Sequence, residues 1–221
     1  MTDHTTPGTI LVLPGGGYHG HADHEAEPVA DWIRSLGWRS RVVRYPAAST
    51  HPTPLGSLPL DHVRAEIAAE RAAGTARIGV LGFSAGGHLA GHTAVAPDST
   101  PEQRPDLAIL CYPVVSMVGS THVGSQDNLL GPDATREERE ATSLEMLVTP
   151  STPPMFLWHT VADAGVLVAE HTYALAAALA ANGVPHEVHA FADGPHGIGL
   201  APDYPAREWT ALCAAWLRRF D

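Results

Sequence analysis

Ser84 lies in Gly82-Phe83-Ser84-Ala85-Gly86, which fits the pattern G-x-S-x-G. The short apolar run RIGVLG (77–82) comes before it, and Gly87-His88-Leu89-Ala90 opens a helical pattern after it. A serine in a sharp strand-to-helix turn presents its Oγ to solvent. The positions two before and two after it must be small, because the two backbones nearly touch there. A serine hydroxyl is a poor nucleophile until a base takes its proton and a third group orients that base. Behind an elbow of this kind the partners follow in the order Ser, then Asp or Glu, then His. Asp163 follows the apolar run MFLWH (155–159), and His196, in Gly194-Pro195-His196-Gly197, follows HEVHAF (186–191). Asp193 also stands near the end of that run, but only three residues from His196, too close in the chain to buttress it. Ser84, Asp163 and His196 are therefore the candidates for acyl transfer, with Ser84 as nucleophile, His196 as base and Asp163 as the orienting acid.

Acyl transfer also needs N–H donors aimed at the oxyanion. The residue after the nucleophile, Ala85, is one candidate. The other should come from the loop after the first strand, Pro14-Gly15-Gly16-Gly17-Tyr18, with Gly17 favoured over Gly16. Tyr18, beside these glycines, is a candidate substrate-binding residue. The same loop continues as His19-Gly20-His21-Ala22-Asp23-His24, the H-x-H-x-D-H spelling of a two-zinc hydrolase. Such a site takes further ligands from later loops and needs two facing sheets. A zinc-dependent hydrolase using His19, His21, Asp23 and His24 is thus the alternative of a different class. The cluster leads into EAEPV (25–29), a helix start that Asp23 can cap, with Glu25 and Glu27 meeting the positive end of the helix dipole. The serine reading calls for no metal and no organic cofactor.

The elements that must hold these groups alternate along the chain. Strands are read at TILVL (9–13), WRSRVVRY (38–45), 77–82, DLAILCY (106–112), 155–159 and 186–191. Helices are read over 25–36, 60–73, from Ala85 onward, 167–181 and 206–220, several closed by glycine just past their ends. The segment 46–59 carries four prolines and reads as a surface loop. Alternation of this kind predicts an α/β fold, one mostly parallel sheet of about six strands with helices on both faces. Ligands then bind beyond the carboxyl ends of the strands, where all the candidate residues lie. The polar stretch 116–153 is too long for a turn and reads as a small lid or insert, too short for a large cap domain. His88, His92, His171 and His189 read as helix or strand surface.

The chain has 221 residues, 44% of them apolar, which suits a single domain with a full core. Its 13 basic and 24 acidic residues give a formal net charge of −11. That argues against nucleic acid or an anionic membrane surface as partner and leaves a small-molecule ester as the expected one. No basic segment followed by an apolar run opens the chain, and no apolar stretch approaches the roughly 20 residues a membrane helix needs. Cys111 and Cys213 show no metal-ligand spacing and read as reduced core thiols of a cytoplasmic protein.

Taken together, PGGGY with HEAEPVADW, HPTPL, IGVLGFSAGGHLA, RPDLAILCYPVVSM, THVGSQDNLLG, VTPSTPPMFLWHT and GPHGIGLA resemble the acetyl xylan esterase-like group of carbohydrate esterases. This is an α/β-hydrolase group related to dienelactone hydrolases and BD-FAE-type esterases. The resemblance runs from about Leu11 to Leu200. It implies an α/β-hydrolase fold and a serine esterase that removes acetyl groups from a small carbohydrate-like substrate. It carries the nucleophile to Ser84, the acid to Asp163, the base to His196 and the oxyanion loop to Gly15, Gly16 and Gly17. Hydrolysis of another small ester, a lactone or an aryl formamide by the same three residues is the alternative closest to it. The group's acid loop reads close to H-T-x-D-D-x-x-V-P. Here Ala162 replaces the first acidic residue and Leu167 the proline, which puts the shape of that loop in question.

Overall fold

A computed structural model of the protein describes residues 8–220. Six strands, β1 (Thr9–Leu13), β2 (Arg39–Val42), β3 (Ile78–Phe83), β4 (Leu107–Cys111), β5 (Met155–Thr160) and β6 (His186–Phe191), form one sheet. The order is β2-β1-β3-β4-β5-β6, and every neighbouring pair is parallel. The chain runs from β1 outward to β2, then returns to the other side of β1 for β3. That reversal leaves a crevice beyond the carboxyl ends of β1 and β3, where the glycine loop and Ser84 follow the two strands.

The helices are α1 (Glu27–Ser35), α2 (Leu58–Ala72), α3 (Ser84–Val95), α4 (Val123–Leu130), α5 (Arg136–Glu140), α6 (Leu144–Leu147), α7 (Thr172–Ala181) and α8 (Trp209–Leu217). Alternate residues of the central strands feed two apolar layers, as a pleated sheet buried on both faces requires. Leu11, Leu13 and Val80 pack with Val63 of α2, Leu89 of α3 and Leu175 of α7. Ile10, Val12, Phe83 and Trp158 pack with Ile33 of α1 and Trp209 and Trp216 of α8. Trp158 and Trp209 stack with centroids 5.2 Å apart. Each large apolar side chain fully buried here contributes about 1.5–3 kcal/mol, so the layers and not helix propensity fix the frame.

Several expected boundaries shift for local reasons. The expected helix at 25–36 is a 3-10 turn (Asp23–Glu25) followed by α1. Asp23 caps neither element and instead pairs with Arg44. The expected helix at 167–181 begins only at Thr172, because the residues before it wrap the acid loop. The insert 116–153 folds into α4, α5 and α6; Leu144 of α6 is buried against Gly91 of α3, so part of it belongs to the body of the domain.

The histidines expected on the surface are not all there. His88 and His171 are 0% and 1% exposed. His171 is neutral by its hydrogen bonds, and burial keeps His88 neutral. His88 donates from Nε2 to the Thr142 carbonyl at 2.8 Å and accepts the Tyr18 hydroxyl at Nδ1. His171 accepts the Val115 and Ser116 N–H groups at Nδ1. Burial pushes the imidazoles of His88 and His171 down to about 4 and that of His92 to about 3. The unfolded chain therefore binds more protons than the folded one below the ordinary histidine value near 6.5. Stability falls as pH drops from about 6.5 towards 4, by about 3 kcal/mol for a fully buried histidine shifted this far. Thermal unfolding followed from pH 7 to 4 should show Tm dropping steadily. His88→Gln, whose amide has no proton to take up, should show a shallower slope.

Candidate active site

The elbow forms where β3 meets α3. Ser84 adopts φ +52°, in the left-handed region, a strained conformation for a residue with a Cβ. Small neighbours make it possible. A Cβ on Gly86 would meet the Pro14 carbonyl oxygen at 2.6 Å and the Leu13 oxygen more closely still, and one on Gly82 would strike the Gly86 oxygen. Ser84 is 7% exposed, so little more than its hydroxyl reaches the surface.

The loops after β5 and β6 bring the other two candidates to it. His196 Nδ1 lies 2.6 Å from Asp163 Oδ2, and its Nε2 lies 2.7 Å from Ser84 Oγ. A carboxylate only accepts, so Nδ1 carries the proton and Nε2 accepts from the serine O–H. Asp163 is 2% exposed. Its Oδ1 accepts the N–H groups of Gly165 and Val166 at 2.8 and 2.9 Å. His159, fully buried, donates from Nε2 to Asp163 Oδ2 at 3.1 Å and to the Val166 carbonyl at 2.9 Å, while its Nδ1 accepts from Thr172 Oγ1. Burial alone would raise the Asp163 carboxyl; the bonds from His159, His196 and Val166 outweigh it and hold the group well below the usual carboxylate range. Ala162 and Leu167, where the acid loop departs from the group's pattern, both face solvent, so neither touches these bonds. Asp193 is exposed and makes no hydrogen bond to His196.

The glycine loop stands opposite. Gly16 and Gly17 take φ +133° and +63°, which glycine adopts without strain. The Gly15 carbonyl accepts the Ala22 N–H, and the Gly16 carbonyl accepts those of His19 and Gly20. In a trans peptide the following N–H points the opposite way, so these turns orient the Gly16 and Gly17 N–H groups. Neither N–H has an acceptor among the described residues, and both glycines line the groove that holds Ser84 and His196. Asn128 of α4 donates to the Gly17 carbonyl at 2.9 Å and steadies the loop. Ala85 lies in the first turn of α3, where backbone N–H groups have no intrahelical acceptor.

Tyr18 is placed differently from expectation. At φ +58° its side chain turns inward. It is fully buried between Tyr45 and His88, with its hydroxyl 2.7 Å from His88 Nδ1. It lines no part of the groove beside Ser84.

The H-x-H-x-D-H letters do not converge either. His21 packs against the Tyr45 ring, Asp23 pairs with Arg44, and His24 donates to the Gly197 carbonyl at 2.9 Å. Among the described residues no group of three His, Cys, Asp or Glu side chains is arranged to hold a metal ion.

The groove has a volume of about 380 Å³. Besides Ser84 and His196 its walls include Gly16, Gly17, Ala22, His19, His24, Glu25 and His122, with no apolar side chain larger than alanine's. His122, the N-cap residue of α4, carries no local sequence signal that would mark it as a groove residue. Its Nδ1 accepts the Ser125 N–H, which leaves the proton on Nε2. Burial and the neighbouring His196 lower its pKa.

The chain belongs to the α/β-hydrolase fold family, whose model matches residues 10–200. It is 35% identical over 216 residues to an endo-1,4-β-xylanase B of Butyrivibrio fibrisolvens, covering 91% of this chain and 34% of that protein. To an acetylxylan esterase of Xylanibacter ruminicola it is 28% identical over 198 residues, covering 86% of this chain and 41% of the relative. The chain thus spans less than half the length of these curated relatives. Among solved structures, an acetyl ester-xyloside bifunctional hydrolase from Caldicellulosiruptor lactoaceticus superposes with a TM-score of 0.87 at 37% identity. That match covers 99% of this chain and 85% of the other.

Proposed function

We propose that the protein is a serine esterase that removes acetyl groups from a small, carbohydrate-like substrate. The observation that carries this reading is the unbroken hydrogen-bonded series Ser84–His196–Asp163 at 2.7 and 2.6 Å. Ser84 attacks the ester carbonyl while His196 Nε2 takes its proton. Asp163 keeps the imidazole in the tautomer that can do so and stabilises the imidazolium that forms. The N–H groups of Ala85 and of Gly17, with Gly16 beside it, receive the oxyanion. His196 returns the proton to the departing alcohol, then activates a water that releases acetate from the acyl-enzyme.

The groove's lining supports the substrate class. It offers glycines and imidazoles but no apolar slot for a long acyl chain, which suits an acetyl group on a polar alcohol. The likeness to an acetylxylan esterase favours an acetylated xylo-oligosaccharide. The free, buried thiols of Cys111 and Cys213 are compatible with the reducing cytoplasm. Among the described residues no helix is long and apolar enough to cross a membrane.

The decisive assay is acetate release from acetylated xylo-oligosaccharides, run with EDTA and with a fluorophosphonate. Activity should survive the chelator and vanish with the phosphonate. Loss with EDTA and recovery with zinc would overturn the serine mechanism, and turnover of p-nitrophenyl octanoate equal to that of the acetate would overturn the short-acyl preference.

A further inference from the structure

Glu25 is a buried carboxylate for which the acyl-transfer mechanism names no task. It is 2% exposed, yet both of its oxygens are engaged. Oε2 accepts the Gly15 N–H at 2.8 Å, and Oε1 accepts the Tyr112 O–H at 2.5 Å. The Tyr112 hydroxyl in turn accepts the Gly199 N–H at 2.7 Å. The Tyr112 ring stands edge-on to His196, with centroids 5.1 Å apart. Gly15 heads the loop that carries Gly16 and Gly17, while Gly199 lies three residues beyond His196. His24, 3.7 Å from Glu25 Oε1, ties the same two loops together a second time through the Gly197 carbonyl. A Cβ on Gly15 would lie 2.7 Å from Glu25 Oε2 and 3.1 Å from Ser84 Cβ, so the carboxylate sits one glycine's width from the nucleophile.

We propose that Glu25 is a positioning residue for the esterase reaction: it clamps the glycine loop to the histidine loop, so that the oxyanion donors and the base keep their register. The proposal rests on the serine-esterase reading. A carboxylate suits the task because two donors converge on it, and it accepts at both oxygens. An amide accepts at one end only, so in Glu25→Gln either Gly15 or Tyr112 faces an N–H₂ group that cannot receive its proton. Keeping an acid here carries a desolvation cost, which two donated hydrogen bonds offset. Local sequence could not reveal this, since the helix-dipole role read for Glu25 is an exposed one and Tyr112 lies 87 residues away.

The test compares Glu25→Gln with the unaltered protein in p-nitrophenyl acetate hydrolysis and in inhibition by phenyl trifluoromethyl ketone. The hemiketal oxyanion of that inhibitor needs the same donors as the substrate's. The variant should lose about 100-fold in kcat, as when an oxyanion donor is misplaced, with KM changed by less than about threefold and inhibitor affinity weakened in parallel. A folded variant with kcat unchanged, or with kcat lowered but inhibitor affinity intact, overturns the proposal. Should Glu25→Gln not fold, Tyr112→Phe keeps the carboxylate and its bond to Gly15 while cutting the link to Gly199. Its kcat should fall about tenfold, with Tm several degrees lower because Glu25 Oε1 and the Gly199 N–H both lose their buried partner, and an unchanged kcat in the folded variant overturns the clamp. If the unaltered protein hydrolyses no ester, the serine-esterase reading itself has failed and the clamp goes with it.

Discussion

Ser84→Ala should lower kcat for p-nitrophenyl acetate by about 10⁶-fold, the scale seen when a serine nucleophile is removed from an intact site. The size follows from what remains. Without Oγ no acyl-enzyme can form, and His196 is left to activate water against an ester held only by oxyanion donors and groove contacts. Such a site keeps roughly 10³–10⁴ over the uncatalysed reaction. The fold should not suffer. The elbow's strain is in the backbone, at φ +52°, and the Gly82–Gly86 contact that permits it is untouched. Alanine removes one nearly buried hydroxyl and a single hydrogen bond to His196. Circular dichroism and Tm should therefore match the unaltered protein to within a few degrees, and labelling by a fluorophosphonate should disappear. Near-normal turnover by the folded variant would remove Ser84 as nucleophile.

The frame and the three central residues were legible because each announces itself locally. Ser84, Asp163 and His196 all stand where an apolar run stops and small residues begin, and a parallel sheet sends every such junction to one edge. What stayed hidden depends on partners far along the chain. Tyr18 reads as a groove residue because it adjoins Gly17, yet φ +58° turns its ring down to His88, 70 residues on. His88 itself looks like a surface position, but α3 is packed on nearly every side and has no polar face for a histidine to occupy. The missing start of the helix expected from 167 has a chemical cause. Val166 gives its N–H to Asp163 and its carbonyl to His159, so the chain before Thr172 serves the acid loop. The insert is half legible. Its polarity suggests a lid, and its first part, with His122, does rim the groove, but Leu144 anchors α6 to the body.

Asp163→Asn is expected to cost about 10⁴-fold in kcat, the loss that follows when the base is held in the wrong tautomer. Both Oδ1 partners are backbone N–H groups, so the asparagine must place its oxygen there and its N–H₂ where Oδ2 now stands. That amide meets His196 Nδ1 at 2.6 Å as a donor. The imidazole answers by moving its proton to Nε2, and an N–H then faces Ser84 Oγ where an acceptor is needed. His159 keeps its Val166 bond but loses the carboxylate. Because the wild-type carboxyl is held well below its ordinary value, its ionised form stabilises the fold above an unfolded value near 4, and that contribution fades only as pH falls through the folded value. The Tm gap between the variant and the unaltered protein should thus be widest near neutrality and narrow in acid. Asp193→Asn, at an exposed position with no bond to His196, should hydrolyse p-nitrophenyl acetate within about twofold of normal, as surface substitutions generally do. A large loss in Asp193→Asn with Asp163→Asn nearly intact would reassign the acid. Two imidazoles share one carboxylate, the groove-lining His196 to act and the buried His159 to brace, which makes Asp163 the position where one amide undoes both.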